Sequence, residues 1–165
     1  GLEPSTSFCY AGSMKANQKH VYDFLKHHHM GILSTVTEGG KPWGSAIFFV
    51  VDEDFNIFFV TRMETFKYQN LEKNPYAALT VADEVKQTTA QLVGKVSRLP
   101  AREYMELFKK LTAIQPKDIS NWEPPLMKVH EGDYIPLRLT PSKLQYADFK
   151  EVSTDYDHKY IEQII

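Results

Sequence analysis

Apolar residues along this chain fall into short runs broken by glycine, proline and asparagine, and within most runs they recur at every second position, as in half-buried β-strands joined by tight turns. Ile32-Leu33-Ser34-Thr35-Val36-Thr37 and Pro42 to Val51 flank Gly39-Gly40 and predict a hairpin. Asn56 to Thr61, Tyr76 to Ala82 and Thr88 to Leu99 extend the series to a five-strand meander, with Gly94 as a candidate bulge or close-approach point. Tyr134 to Thr140 and Lys143 to Phe149 return to strand character on either side of Pro141. Helical spacing intervenes three times. Val21, Tyr22, Phe24 and Leu25 predict a helix that runs into His27-His28-His29 and ends at Gly31, and Asn70 to Asn74 predicts a short one that stops before Pro75. Tyr104, Leu107, Phe108 and Leu111 predict a third, opening at Pro100 and packing on the sheet.

Strands at such regular intervals predict a mainly β protein, a closed or nearly closed antiparallel barrel with flanking helices. Ala46-Ile47-Phe48-Phe49-Val50-Val51 is apolar at every position, so the face of this strand turned away from the barrel interior needs a cover, which a second subunit would supply. The 165 residues suffice for one well-buried core. We expect a barrel domain over 15–150, a C-terminal tail over 151–165, and a flexible or expression-derived arm over 1–14, because Gly12-Ser13 directly precedes Met14. Alternatively the arm is native, and Phe8, Cys9 and Tyr10 pack on a partner. A net charge of −2 with interspersed signs leaves no footprint for nucleic acid, and no apolar run is long enough to span a bilayer. The lone Cys9, with no secretory signal in view, fits the cytoplasm.

The densest candidate chemistry lies between Thr61 and Pro75. A strand delivers Thr61, Arg62, Thr65 and Lys67 onto the start of a short helix, with Thr65 where an N-cap belongs. A helix start presents unpaired N–H groups and partial positive charge, so a hydroxyl, a lysine and an arginine beside it make a phosphate cradle. The same pattern fits an ordinary capped surface helix.

Thr61-Arg62-Met63-Glu64-Thr65-Phe66-Lys67, followed by Asn70-Leu71 and Asn74-Pro75, resembles the flavin-phosphate segment of the pyridoxamine 5′-phosphate oxidase-like FMN-binding split-barrel family. The opening helix with Gly31 to Val36, the Gly40-Lys41-Pro42 turn, the apolar strand from Ala46 and the strand around Gly94 follow in the family's order, over about residues 20 to 150. The resemblance implies a six-stranded antiparallel split barrel, and a homodimer with FMN at the subunit interface. It implies that Ser45, Ala46, Ile47 and Phe48 pass beneath the flavin, offering mainly backbone groups, and that Val60 and Thr61 touch the ring or ribityl chain. Lys67 and Thr65 hold the phosphate, Phe66 occupies a cofactor position between them, and Arg62 is a second cation.

The departures matter as much. The oxidase has arginines at the positions of Ser45 and Phe66, and its substrate phosphate is held by residues aligning with Val50, Leu107 and Leu111, none of which binds an anion here. This argues against pyridoxamine 5′-phosphate oxidase activity itself and for a flavin-dependent oxidoreductase acting on another small molecule, with no catalytic side chain identifiable, since the flavin carries the chemistry. The alternative is a non-catalytic ligand-binding or haem-handling barrel, prompted by His27-His28-His29, or a variant that takes a deazaflavin cofactor. Against a metal site there, adjacent side chains on a helix cannot all face one point. Trp122 and His130 lie in or near a proline-rich loop that reads as interface cover, and Asp52-Glu53-Asp54 reads as a solvated hairpin tip.

Overall fold

The computed structural model describes residues 1–4, 14–115, 134–150 and 159–165. Helix α1 (Ala16–His27) buries Val21, Phe24 and Leu25, the i, i+3, i+4 stripe of the sequence, while Lys26 and His27 occupy its last turn, where positive charge suits the helix dipole. Strands β1 (Met30–Val36), β2 (Pro42–Phe48), β3 (Val50–Val51), β4 (Ile57–Thr61), β5 (Tyr76–Asp83), β6 (Thr88–Arg98), β7 (Ile135–Asp148) and β8 (Ile161–Gln163) form one sheet. Helix α2 (Phe66–Lys73) lies between β4 and β5, and a 3-10 turn at Ala101–Glu103 leads into α3 (Tyr104–Thr112).

All strand pairs are antiparallel, in the order β2-β1-β5-β6-β7-β4-β3, with β8 added on β7. The meander expected from chain order is therefore corrected: β4 pairs with β7 and β5 with β1. The two ends of the path, β2 and β3, are halves of one strand interrupted at Phe49, so the curled sheet returns to its own start. Along this path the halves count as seven strands where six were expected, with β8 an eighth beside it; joined, the halves restore six on the path. The predicted strands on either side of Pro141 are one continuous β7, because the Gly94 bulge opposite lets the proline sit in the ladder. A Cβ at Gly94 would lie 2.1 Å from the Thr140 carbonyl oxygen. Gly31 also differs from expectation: α1 ends at His27, and Gly31 stands inside β1, where a Cβ would meet Leu79 at 2.9 Å and the Thr80 carbonyl at 3.0 Å.

The interior is filled by alternate residues, among them Leu33, Phe49, Ile57, Phe59, Leu79, Leu92, Leu137, Leu139 and Leu144, closed at one side by α1 and by Leu71 of α2. Each such side chain contributes roughly 1.5–3 kcal/mol through removal from water. A second, smaller cluster lies outside the sheet, where Leu107 and Leu111 of α3 with Leu99 and Ile114 pack on Phe48, Val50, Phe58 and Val60. The outer face of the apolar strand is thus covered in part by α3 of the same chain, where a second subunit had been expected. The rest stays open: Met30, Ile32 and Val93 are 56, 46 and 40% exposed, and register places Ala46 beside Ile32 and Ala78 beside Val93 on that face. At the hairpin after β3, Asp52 accepts hydrogen bonds from the Asp54 and Asn56 amides and from Asn56 Nδ2, and holds Phe55 at φ 61° with its ring in the core. Burial pushes the Asp52 carboxyl above its usual range, while Glu53 and Asp54 are exposed, as a solvated tip requires.

Residues 1–4 lie along β6, with the Arg98 amide donating to the Glu3 carbonyl and Leu2 against the core. Cys9, Trp122, His130, most of the proline-rich loop and 151–158 of the tail fall outside the described residues.

Candidate functional site

Helix α2 starts where β4 ends, and a short relay of hydroxyls makes the junction. The Tyr68 amide donates to Thr65 Oγ1, so Thr65 is the N-cap that its position predicts. Thr65 Oγ1 lies 2.8 Å from the Arg62 carbonyl, to which it donates, and 2.9 Å from Thr61 Oγ1, which in turn donates to it. Both hydroxyl protons are thereby committed within the turn, and Thr61 is buried. The threonines shape the cradle rather than offer protons to a ligand.

Three donors remain. The backbone N–H groups of Phe66 and Lys67, at the first two helical positions, have no acceptor among the described residues. Lys67 is half-buried and has no carboxylate partner among them, and burial lowers its pKa from the ordinary 10.5. A helix start with two open amides and a partly desolvated lysine in its first turn has the donors that an anion would need. Arg62 is placed differently from expectation, since its Nε faces the Glu64 carboxylate two residues on. That pair is exposed to solvent.

Strand β2 supplies the opposite wall. Trp43 Nε1 donates to Ser45 Oγ at 3.1 Å, and the Trp43 ring meets the Phe66 ring edge-on with centroids 5.0 Å apart. Ser45 and Phe66, expected near the cofactor, are thus linked through Trp43, which sequence reasoning passed over; the signal for it was its place two residues before Ser45 on the same strand face. Ile47 is in the main core and Phe48 and Val60 are in the α3 cluster, so their side chains are engaged elsewhere, while Ala46 is exposed. What β2 retains is its edge. It is paired to β1 on one side only, so among the described residues alternate backbone groups from Trp43 to Ile47 face a margin that no strand fills.

The cradle is fixed from behind. Asn70 Nδ2 donates to Thr35 Oγ1 at 3.0 Å in a buried bond that ties α2 to β1. Arg98 of β6 donates to the Tyr68 hydroxyl and sits 3.5 Å from Glu72, whose carboxyl is held below its usual range by the Tyr68 hydroxyl first and by Arg98 as well.

The histidine triplet diverges. His27 Nδ1 is 2.6 Å from the Asp23 carbonyl, while His28 bonds the Phe24 carbonyl through Nδ1 and Asp83 through Nε2. The His29 ring has no hydrogen-bond partner among the described residues, and burial, then the charges of His28 and His27, lowers its pKa.

An antiparallel curled sheet that returns to its own start, with a short helix between β4 and β5, is the architecture of a split barrel, and residues 18–136 match the family model described as pyridoxamine 5′-phosphate oxidase. The chain belongs to that family. A pyridoxine/pyridoxamine 5′-phosphate oxidase of Pectobacterium atrosepticum is 29% identical over 86 residues, 52% of this chain and 36% of the oxidase; the match spans about a third of that relative. Among solved structures, a pyridoxamine 5′-phosphate oxidase-related, FMN-binding protein from Nostoc punctiforme has a TM-score of 0.58 at 13% identity, covering 91% of this chain and 94% of its own. A heme-binding protein from Mycobacterium smegmatis has a TM-score of 0.63 at 15% identity, with coverages of 92% and 59%. These likenesses establish the split-barrel fold. No helix among the described residues is long and apolar enough to cross a membrane.

Proposed function

We propose that this protein binds FMN as a homodimer and acts as a flavin-dependent oxidoreductase on a small molecule. The observation that carries the reading is Lys67, unpaired and partly desolvated beside the open Phe66 and Lys67 amides. When bound, FMN would supply hydride or electron transfer through its ring system. The chain's part is placement: the start of α2 holds the phosphate, the outer margin of β2 at Ser45, Ala46 and Ile47, continued by Phe48, meets the polar edge of the ring with backbone groups, and Thr61 and Thr65 keep the turn in shape. Val60 supports the strand from the α3 side. Arg62, bound to Glu64, would have to exchange partners to reach the phosphate. A partner subunit would cover the open face of Met30, Ile32, Ala46 and Val93. The cytoplasm is the compartment that this reading implies.

The substrate differs from pyridoxamine 5′-phosphate in this reading. Leu107 and Leu111 are buried in the apolar cluster under α3 with the partly buried Val50, beside a pocket of about 140 Å³ whose charged lining is Glu103, Glu106 and Lys110. Lys110 pairs with Glu106 at 3.0 Å, so the lining keeps a net negative charge that opposes a phosphate. The visible spectrum of the purified protein after addition of FMN and removal of excess tests the reading. Retained flavin bands that bleach with a nicotinamide donor support it; flavin lost equally from wild type and from Lys67→Met removes it. A deazaflavin in the same cradle would show in that assay as FMN that fails to compete.

The second reading, haem handling, is favoured by the heme-binding neighbour alone among the observations. Of the triplet, His29 has the ring available to iron. A haem titration without a Soret change on wild type, or with the same change on His29→Ala, disposes of that reading.

A further inference from the structure

A pocket of about 460 Å³ opens between the C-terminal turns of α1 and α3 and the bend of the sheet at Phe49 to Val51, within the size range of small-molecule sites. Its floor is Leu25, Phe49, Val50, Val51 and Ile114. The charged and polar members of its lining are Lys26, Lys110, His28, His29, Gln115 and Tyr22, with no carboxylate among the described residues. Part of the negative potential of the two helix C-termini is offset, because His28 Nδ1 and the His28 amide donate to the Phe24 and Leu25 carbonyls and the Ala113 and Ile114 amides donate to those of Lys109 and Leu111.

The cations are available. Lys26 lies 5.7 Å from the Tyr22 ring centroid and has no carboxylate partner among the described residues. Lys110 meets Glu106 at 3.0 Å in a solvent-exposed pair, the kind that is readily exchanged. His29 is anchored to the floor by its carbonyl, which accepts from the Phe49 amide at 3.0 Å, and its ring is open. An apolar floor under a rim of two ammonium groups, Lys26 without a carboxylate partner among the described residues and Lys110 in an exchangeable pair, selects a ligand with the opposite arrangement.

We propose that this pocket binds a small amphipathic organic anion, an aromatic or short-chain carboxylate, whose charged end meets Lys26 and Lys110 and whose hydrocarbon lies on Phe49, Val51 and Ile114. The site does not depend on the flavin reading. Val51 pairs with Ile57 at the start of β4, and Thr61 lies four residues further on, roughly 13 Å along the strand.

The test is an NMR titration of the full chain with 1-naphthoate and with its neutral counterpart 1-naphthalenemethanol. We expect saturable shifts at His29, Phe49 and Ile114 with naphthoate, tighter binding of the acid than of the alcohol, and about threefold weakening by Lys26→Met or Lys110→Met, the worth of one partly exposed ion pair. Lys67→Met leaves this affinity unchanged, which separates the pocket from the flavin cradle; a chain that takes naphthoate without taking FMN refutes only the flavin reading. Absence of saturable binding in the millimolar range, equal binding of the alcohol, no effect of the double lysine variant, or shifts centred on Lys67 overturns the proposal.

Discussion

Lys67 is the principal cation of the proposed FMN site, and its lowered pKa sets a sign. The native state gives up the Lys67 proton more readily than the unfolded chain does, so the unliganded fold gains stability as pH rises through the lowered value toward 10.5. A bound phosphate restores the proton's favour, and FMN affinity therefore falls as pH rises, beginning below 10.5. Fluorescence titration at several pH values should show this slope in wild type and its loss in Lys67→Met, with affinity at neutral pH reduced about tenfold, the worth of one charge-assisted hydrogen bond. Thr65→Ala should cost about 1 kcal/mol in urea denaturation, the usual cost of a lost N-cap. The role of Thr65 was legible in sequence because a cap is local: the hydroxyl and the Tyr68 amide it serves are three residues apart. The same logic saw a cation in Arg62 but not that Glu64, two residues on, pairs with it.

Elements were readable where their signals are periodic. α1, α2, α3 and the β1–β2 and β5–β6 hairpins stand where the apolar spacing and glycine turns put them. Reading failed where a glycine had two meanings. Gly31 was taken as a helix stop, yet it serves close approach of β1 to β5, and only the register of Leu33 on Leu79 reveals this. Gly94 carried the right signal, and its consequence is severe: Gly94→Ala drives a Cβ into the Thr140 carbonyl and the Pro141 backbone, neither of which can yield as a side chain would. We expect a loss of about 3 kcal/mol or more, read as a lowered denaturation midpoint or as failure to fold. Asn70→Ala removes the buried bond between α2 and β1 and should cost roughly 1–3 kcal/mol while also weakening FMN, since the cradle loses its backing. Neither the Asn70–Thr35 bond nor the Trp43–Phe66 contact was visible in sequence, because each joins segments that are neighbours only after the sheet has formed.

At the scale of the molecule, fold class was legible and strand order was not: alternation reports which face of a strand is wet, not which strand lies beside it. The open patch of Met30, Ile32, Ala46 and Val93 makes the dimer testable. Wild type should elute as a dimer in size-exclusion chromatography, and Ile32→Arg with Val93→Arg should elute as a monomer with unchanged far-UV circular dichroism; a monomeric wild type would remove the dimer from the proposal. The interruption at Phe49 has a consequence of its own. Because β2 and β3 are halves of one strand at opposite ends of the pairing order, the ring is sealed there by peptide bonds and not by a ladder. Cleaving the chain between Phe48 and Val50 would leave every strand pair formally intact and still turn a hoop into a ribbon, a seam whose strength is covalent.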